Sequence, residues 1–192
     1  MVDYDNLYRA YLNARLCKRY RYEVLNFSAH LEDNLVKLQK ELIDRTYTLG
    51  KYREFYIYEP KKRFVMAQPF KDRVVQWAIY QVLNPVFAQG YITDSYACIK
   101  ERGTHKAVKR LHYWLRQVGK KPEKYYFLKL DISKYFYRID HDVLMGILKR
   151  KIHDDDMIFL LDKIVNSSET NFGLPPGKSP GEVKRSDRVS EK

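Results

Sequence analysis

The chain has 192 residues, 45% hydrophobic and 31% charged, which is the balance of a folded globular protein and excludes a chain that is disordered throughout. No apolar run nears the roughly 18 residues of a membrane span, and Met1-Val2-Asp3-Tyr4-Asp5 lacks the basic-then-apolar pattern of a secretory leader, so a cytoplasmic setting is expected. Thirty-six Lys and Arg against 24 Asp and Glu leave a charge of +12, which favours a polyanionic partner. Seventeen tyrosines interleaved with those cations suit a surface that stacks bases as well as one that merely packs. Two distant cysteines, Cys17 and Cys98, exclude a zinc ribbon or a disulfide framework.

In chain order, Tyr4, Leu7, Tyr8, Tyr11, Leu12 and Leu16 recur at helical spacing and lead into a basic-aromatic run, Arg15 to Tyr22. Asn26-Phe27-Ser28 reads as a cap. Leu31, Leu35, Leu38 and Leu42 form a second helical stripe that Gly50 would stop. Arg53 to Tyr58 and Arg63 to Ala67 then read as two strands of a hairpin with Lys61, Lys62 and Arg63 at its tip. A helix follows Pro69, with Val75, Ala78, Ile79, Val82 and Leu83 on one face and Pro85 ending or kinking it.

Beyond a loop at Gln89 to Gly103, Thr104 reads as the cap of a helix with Ala107, Val108, Leu111, Trp114, Leu115 and Val118 facing inward. Tyr125 to Leu130 reads as a strand ending at Asp131, and helices are expected over Asp140 to Lys151 and Asp154 to Asn166. After Gly173 the apolar pattern fades, and 178–192 is expected to be a disordered tail. From the residues alone, Asp131 is either a divalent-metal ligand at a strand end or the cap of its own turn.

Three blocks stand in order. The first runs from Tyr56 to Gln76 and contains Pro69-Phe70-Lys71-Asp72-Arg73. The second joins Asn84-Pro85-Val86-Phe87, Asp94-Ser95-Tyr96-Ala97 and Arg102-Gly103-Thr104-His105-Lys106-Ala107. The third runs from Asp131 to His141, with Gly173-Leu174-Pro175-Pro176-Gly177 downstream. Together they resemble the fingers and first palm motifs of prokaryotic reverse transcriptases, of the diversity-generating retroelement, retron and group II intron type.

The resemblance implies an α+β polymerase right-hand fold. It would comprise a helical N-terminal segment at 1–50, fingers at 51–122 and a partial palm at 123–177. It implies an RNA template, a DNA or RNA primer, deoxynucleoside triphosphates and two Mg²⁺ ions held by Asp131 and the Ile132 carbonyl. Phe136 would gate the sugar, or pack as a core aromatic. Arg63 and Lys61 would grip the triphosphate, or ride on a solvated turn; for Lys62 the solvated turn is the reading taken. Arg73, Ser95 and Tyr96 would touch the template. The alternatives are a structural role for the Asp72-Arg73 pair at a helix start and gap-filling for Tyr96.

The family's second palm motif begins at Gly173 and then departs from its pattern, and no Tyr-x-Asp-Asp follows, as after truncation or a frameshift near Gly177. Asp154-Asp155-Asp156 is no substitute, because it opens a helical pattern. Asp140 and Asp142 fall past the strand end. One carboxylate cannot offset two metal ions, so the chain alone is expected to lack polymerase activity. The alternative is a non-catalytic RNA-binding module that keeps the basic fingers, with or without an accessory protein.

Overall fold

Acidic caps and leucine stripes set most of the helices. The computed structural model describes residues 1–58, 62–133 and 135–167. Helix α1, Tyr4–Ala14, starts where the Asp3 carboxylate accepts from the Asp5 amide. Helix α2, Tyr22–Ala29, takes in the residues read as a cap, so Asn26, Phe27 and Ser28 are helical. Ser28 shows why: its hydroxyl donates to the Val24 carbonyl one turn back and accepts from the Tyr11 phenol at 2.7 Å. Helix α3, Leu31–Ile43, ends well before Gly50, because the chain turns at Arg45 with φ 57°.

Strands β1, Arg53–Ile57, and β2, Arg63–Ala67, pair antiparallel with Tyr56 opposite Phe64 and Phe55 opposite Val65. Helix α4, Phe70–Ala88, runs through Pro85 rather than ending there. Helix α5 is Thr104–Val118, with Gly103 and not Thr104 in the cap position. Helix α6, His141–Lys149, is capped by Asp140 on the Val143 amide at 2.9 Å, and α7, Asp155–Val165, by Asp154 on the Met157 amide at 2.8 Å. Asp154 is thus a cap, as its place before an apolar stripe foretold.

The chain forms two compact units. One holds Met1–Asn84 together with α6 and α7; the other is Pro85–Ser133. Every fully buried apolar side chain described belongs to the first. Leu7, Ala10 and Tyr11 of α1, Val24 of α2, Leu35 and Leu38 of α3, and Val74, Val75 and Ala78 of α4 form its centre. Met157, Leu160, Leu161 and Val165 carry the core into α7. Tyr11, Phe27 and Phe70 pack as a ring cluster, with centroids 5.2–6.2 Å apart.

The second unit differs from the reading of its sequence in two ways. Helix α5 buries none of its residues: Val108, Leu111, Trp114 and Leu115, expected to face inward, are exposed. The segment expected to be a palm strand, Tyr125 to Leu130, is neither strand nor helix. Strand propensity needs a neighbouring strand to satisfy the backbone, and the described residues offer none there. Among the described residues the regular structure is α+β, with a single two-stranded sheet. No described helix is long and apolar enough to cross a membrane. The Gly173 to Gly177 motif and the expected tail at 178–192 lie outside the described residues.

Candidate nucleic-acid interface

The hairpin is the first of three places where the nominated residues fall. Period-two alternation puts Tyr56 and Tyr58 on one face of β1 and its continuation, and the register sets Phe64 across from Tyr56. The Tyr56 and Phe64 rings meet edge to face at 5.1 Å, and the Tyr56 and Tyr58 centroids are 6.5 Å apart. The Lys62 ammonium stands 4.5 Å from the Tyr56 centroid and 5.7 Å from that of Tyr58. Lys62, read from sequence as lying on a solvated turn, is exposed and also stands beside two aromatic rings. The sequence signal for it was Tyr56 and Tyr58 alternating at period two with Lys62 just ahead of the second strand. Lys61 lies outside the described residues, and of Arg63 only the backbone position at the start of β2 is described.

The root of this hairpin is a polar knot. Asp72, in the first turn of α4 and 2% exposed, accepts from the Tyr47 phenol at 2.7 Å and from the Gly50 amide at 2.8 Å. Gln68 donates to the Tyr52 hydroxyl at 3.2 Å, which ties the residues flanking the two strands together. Burial first, and then the Asp72 carboxylate, push the Tyr47 phenol far above its ordinary value. Arg73, expected to touch a template, puts its guanidinium on Glu23 at 2.6 Å and on the Gln68 carbonyl. In this structure it braces the knot against α2, and Asp72 serves backbone and phenol rather than the helix end alone.

The loop before α5 holds Ser95 and Tyr96. Arg102 reaches back into it and donates from Nη1 to the carbonyls of Ile92, Thr93 and Ser95 at 3.1–3.4 Å. The Tyr96 hydroxyl donates to Asp94 at 2.9 Å, and Asp94 also accepts from Arg110 Nε at 2.9 Å. These bonds hold the Asp94 carboxyl below its usual range, while desolvation and the same carboxylate push the Tyr96 phenol up. Arg110 in turn lies over the rings of Tyr113 and Trp114, at 5.4 and 4.8 Å. The residues sequence reading left without a role here are Asp94, Arg102 and Arg110. All three bond to the loop or to its neighbours, with the Asp94 and Arg110 pair open to solvent.

Asp131 and Ile132 are exposed, Ile132 at 70%. Phe136 sits in a 3-10 turn, Tyr135–Tyr137, is 60% exposed, and meets Tyr135 edge to face at 5.2 Å. Asp131 belongs to the second unit and Phe136 follows it into the first. Among the described residues no three His, Cys, Asp or Glu side chains gather as a metal site would require. The described residues therefore do not by themselves fit a pair of Mg²⁺ ions, whose charge calls for several carboxylates.

No protein-family model matches the chain. It is 28% identical over 155 residues to protein YkfC of Escherichia coli strain K12, a match covering 80% of this chain and 40% of that protein. It is 27% identical over 157 residues to group II intron-encoded protein LtrA of Lactococcus lactis subsp. cremoris, covering 76% of this chain and 25% of LtrA. A further match, 27% over 103 residues, is to the uncharacterized mitochondrial protein ymf11 of Marchantia polymorpha. The chain thus spans 40% or less of the length of the curated relatives it matches, and its kinship with a group II intron-encoded protein is distant.

Proposed function

We propose that this chain supplies the fingers and first palm region of an RNA-directed DNA polymerase of the group II intron type, working on an RNA template, a primer and deoxynucleoside triphosphates. What supports this reading above all is that the motif blocks occur in family order within a chain 27% identical to LtrA over 157 residues. In this reading the hairpin grips the incoming triphosphate through Lys61 and Arg63, because a guanidinium pairs two phosphate oxygens at once. Ser95 and Tyr96 line the template path on a loop that Arg102 and Asp94 keep rigid. Asp131 and Ile132 mark the catalytic floor, and Phe136 stands at the sugar.

A second reading, a non-catalytic RNA-binding module, is favoured by one observation: Asp131 stands without a companion cluster of carboxylates among the described residues. Both readings require phosphate contacts. Filter binding of the full chain to single-stranded RNA across a salt series should show log K falling with log salt at a slope steeper than about −2, the value for roughly three neutralised phosphates. Salt-insensitive binding, or none, overturns both readings. Primer extension on an RNA template with Mg²⁺ then separates them. Extension lost in Asp131→Asn supports the polymerase acting on its own, and binding without extension supports the module.

A further inference from the structure

Residues 124–132 carry the most exposed apolar stretch described. Tyr126, Phe127, Leu128, Leu130 and Ile132 are 86, 73, 78, 80 and 70% exposed. The backbone there makes no hydrogen bond with other described residues. The stretch Tyr125 to Ile132 holds neither Gly nor Pro and is dominated by aromatic and aliphatic residues, so it combines strand propensity with unpaired donors and acceptors. Such a segment is completed by another strand.

We propose that Leu128 to Ile132, the C-terminal part of this stretch, pairs antiparallel with the same residues of a second copy of this chain, with the two-fold axis through Leu130. Its charge pattern is self-complementary in that register alone. Lys129 of each copy then lies opposite Asp131 of the other, which gives two reciprocal ion pairs on one face. Leu128 lies opposite Ile132, Leu130 opposite itself, and these six side chains form one apolar strip on the other face. Slipping the register while keeping the faces matched sets Lys129 against Lys129, or Asp131 against Asp131. A slip by one residue sets each charge against an apolar residue. Parallel in-register pairing again stacks like on like. This pairing does not depend on the polymerase reading, but a carboxylate held in a cross-strand ion pair is withdrawn from any other role, so pairing and the proposed catalytic floor are alternative uses of Asp131.

Sedimentation equilibrium of the full chain at physiological ionic strength tests this. The chain should show a reversible monomer–dimer equilibrium. Lys129→Asp and Asp131→Lys should each weaken the dimer at least roughly tenfold, and the double reversal should restore it to within about threefold. Because these side chains are exposed, the far-ultraviolet circular dichroism of all three variants should match that of the parent. A register check uses Leu130→Cys in a Cys17→Ser, Cys98→Ser background, where oxidation should link two copies. A chain that stays monomeric at every concentration overturns the proposal, as do single reversals without effect, a double reversal that fails to restore pairing, or the absence of cross-linking at position 130.

Discussion

Asp72 is a carboxylate 2% exposed to solvent, and the two donors it holds come from the segment between α3 and β1. Removing one of them leaves part of a buried charge unsatisfied, which costs about 1–3 kcal/mol. Tyr47→Phe should therefore lower the urea midpoint with little change in the slope of the transition. The Tyr47 phenol is raised by burial and by Asp72, so its neutral form is the one the fold favours. That stability is complete below the phenol's ordinary value near 10.0 and is lost as pH climbs above it. Alkaline unfolding followed by tyrosinate absorbance should move to higher pH in Tyr47→Phe relative to its own neutral-pH stability. Gly50 is constrained at the same place, since a Cβ would come within 2.7 Å of Pro69 Cγ and 3.3 Å of Asp72 Oδ2. A proline ring cannot swing away, so Gly50→Ala should destabilise the fold by about 1–3 kcal/mol in thermal unfolding. None of this was legible in the sequence. Asp72-Arg73 announced a helix start, but the phenol and the amide that claim Asp72 come from more than twenty residues away.

The helices show where periodicity succeeds and where it fails. The stripe Leu31, Leu35, Leu38 and Leu42 placed α3, and the aspartates at 3, 140 and 154 each precede an apolar run and each cap a helix. The stripe of α5 is just as regular, yet it is uncovered, because amphipathicity states that a face needs a partner and not that one is present. Leu38→Ala should consequently cost about 2–5 kcal/mol in chemical denaturation. Leu115→Ala, at 52% exposure, should stay within about 0.5 kcal/mol of the parent. The α2 helix was missed because Asn26 and Ser28 carry strong cap and turn signals, which tertiary contact with Tyr11 overrides. On the hairpin, Tyr56 and Tyr58 are 48 and 67% exposed on the Lys62 face. If that face meets RNA as the proposed function requires, Tyr56→Ala with Tyr58→Ala should weaken binding at least roughly thirtyfold, since each stacked base contributes about 1–3 kcal/mol.

Among the described residues the fully buried apolar side chains fall in one unit, while the residues nominated for chemistry are spread over both. That unit is discontinuous in sequence: α1 to α4 and α6 to α7 belong to it, and Pro85–Ser133 is interposed. Arg45 spans the break, with its guanidinium on Asp156 and over the Phe159 ring at 5.3 Å. The motif blocks were readable because short strings of residue types survive in order. The division into units was not, because burial depends on which faces meet, and no string of residues records that. Asp131 is the clearest case: its position in the motif was plain from the sequence, whereas the absence of a strand leading to it among the described residues was not.

The interposed stretch between Pro85 and Ser133 has a further consequence for the covalent chain. It is rich in exposed Lys and Arg and has no buried side chain of its own, so trypsin should nick it while the rest stays folded. The two fragments would then behave as a bimolecular complex, co-eluting under native conditions and melting at a temperature that rises with their concentration, whereas the uncut chain melts at one temperature whatever its dilution in the monomeric range.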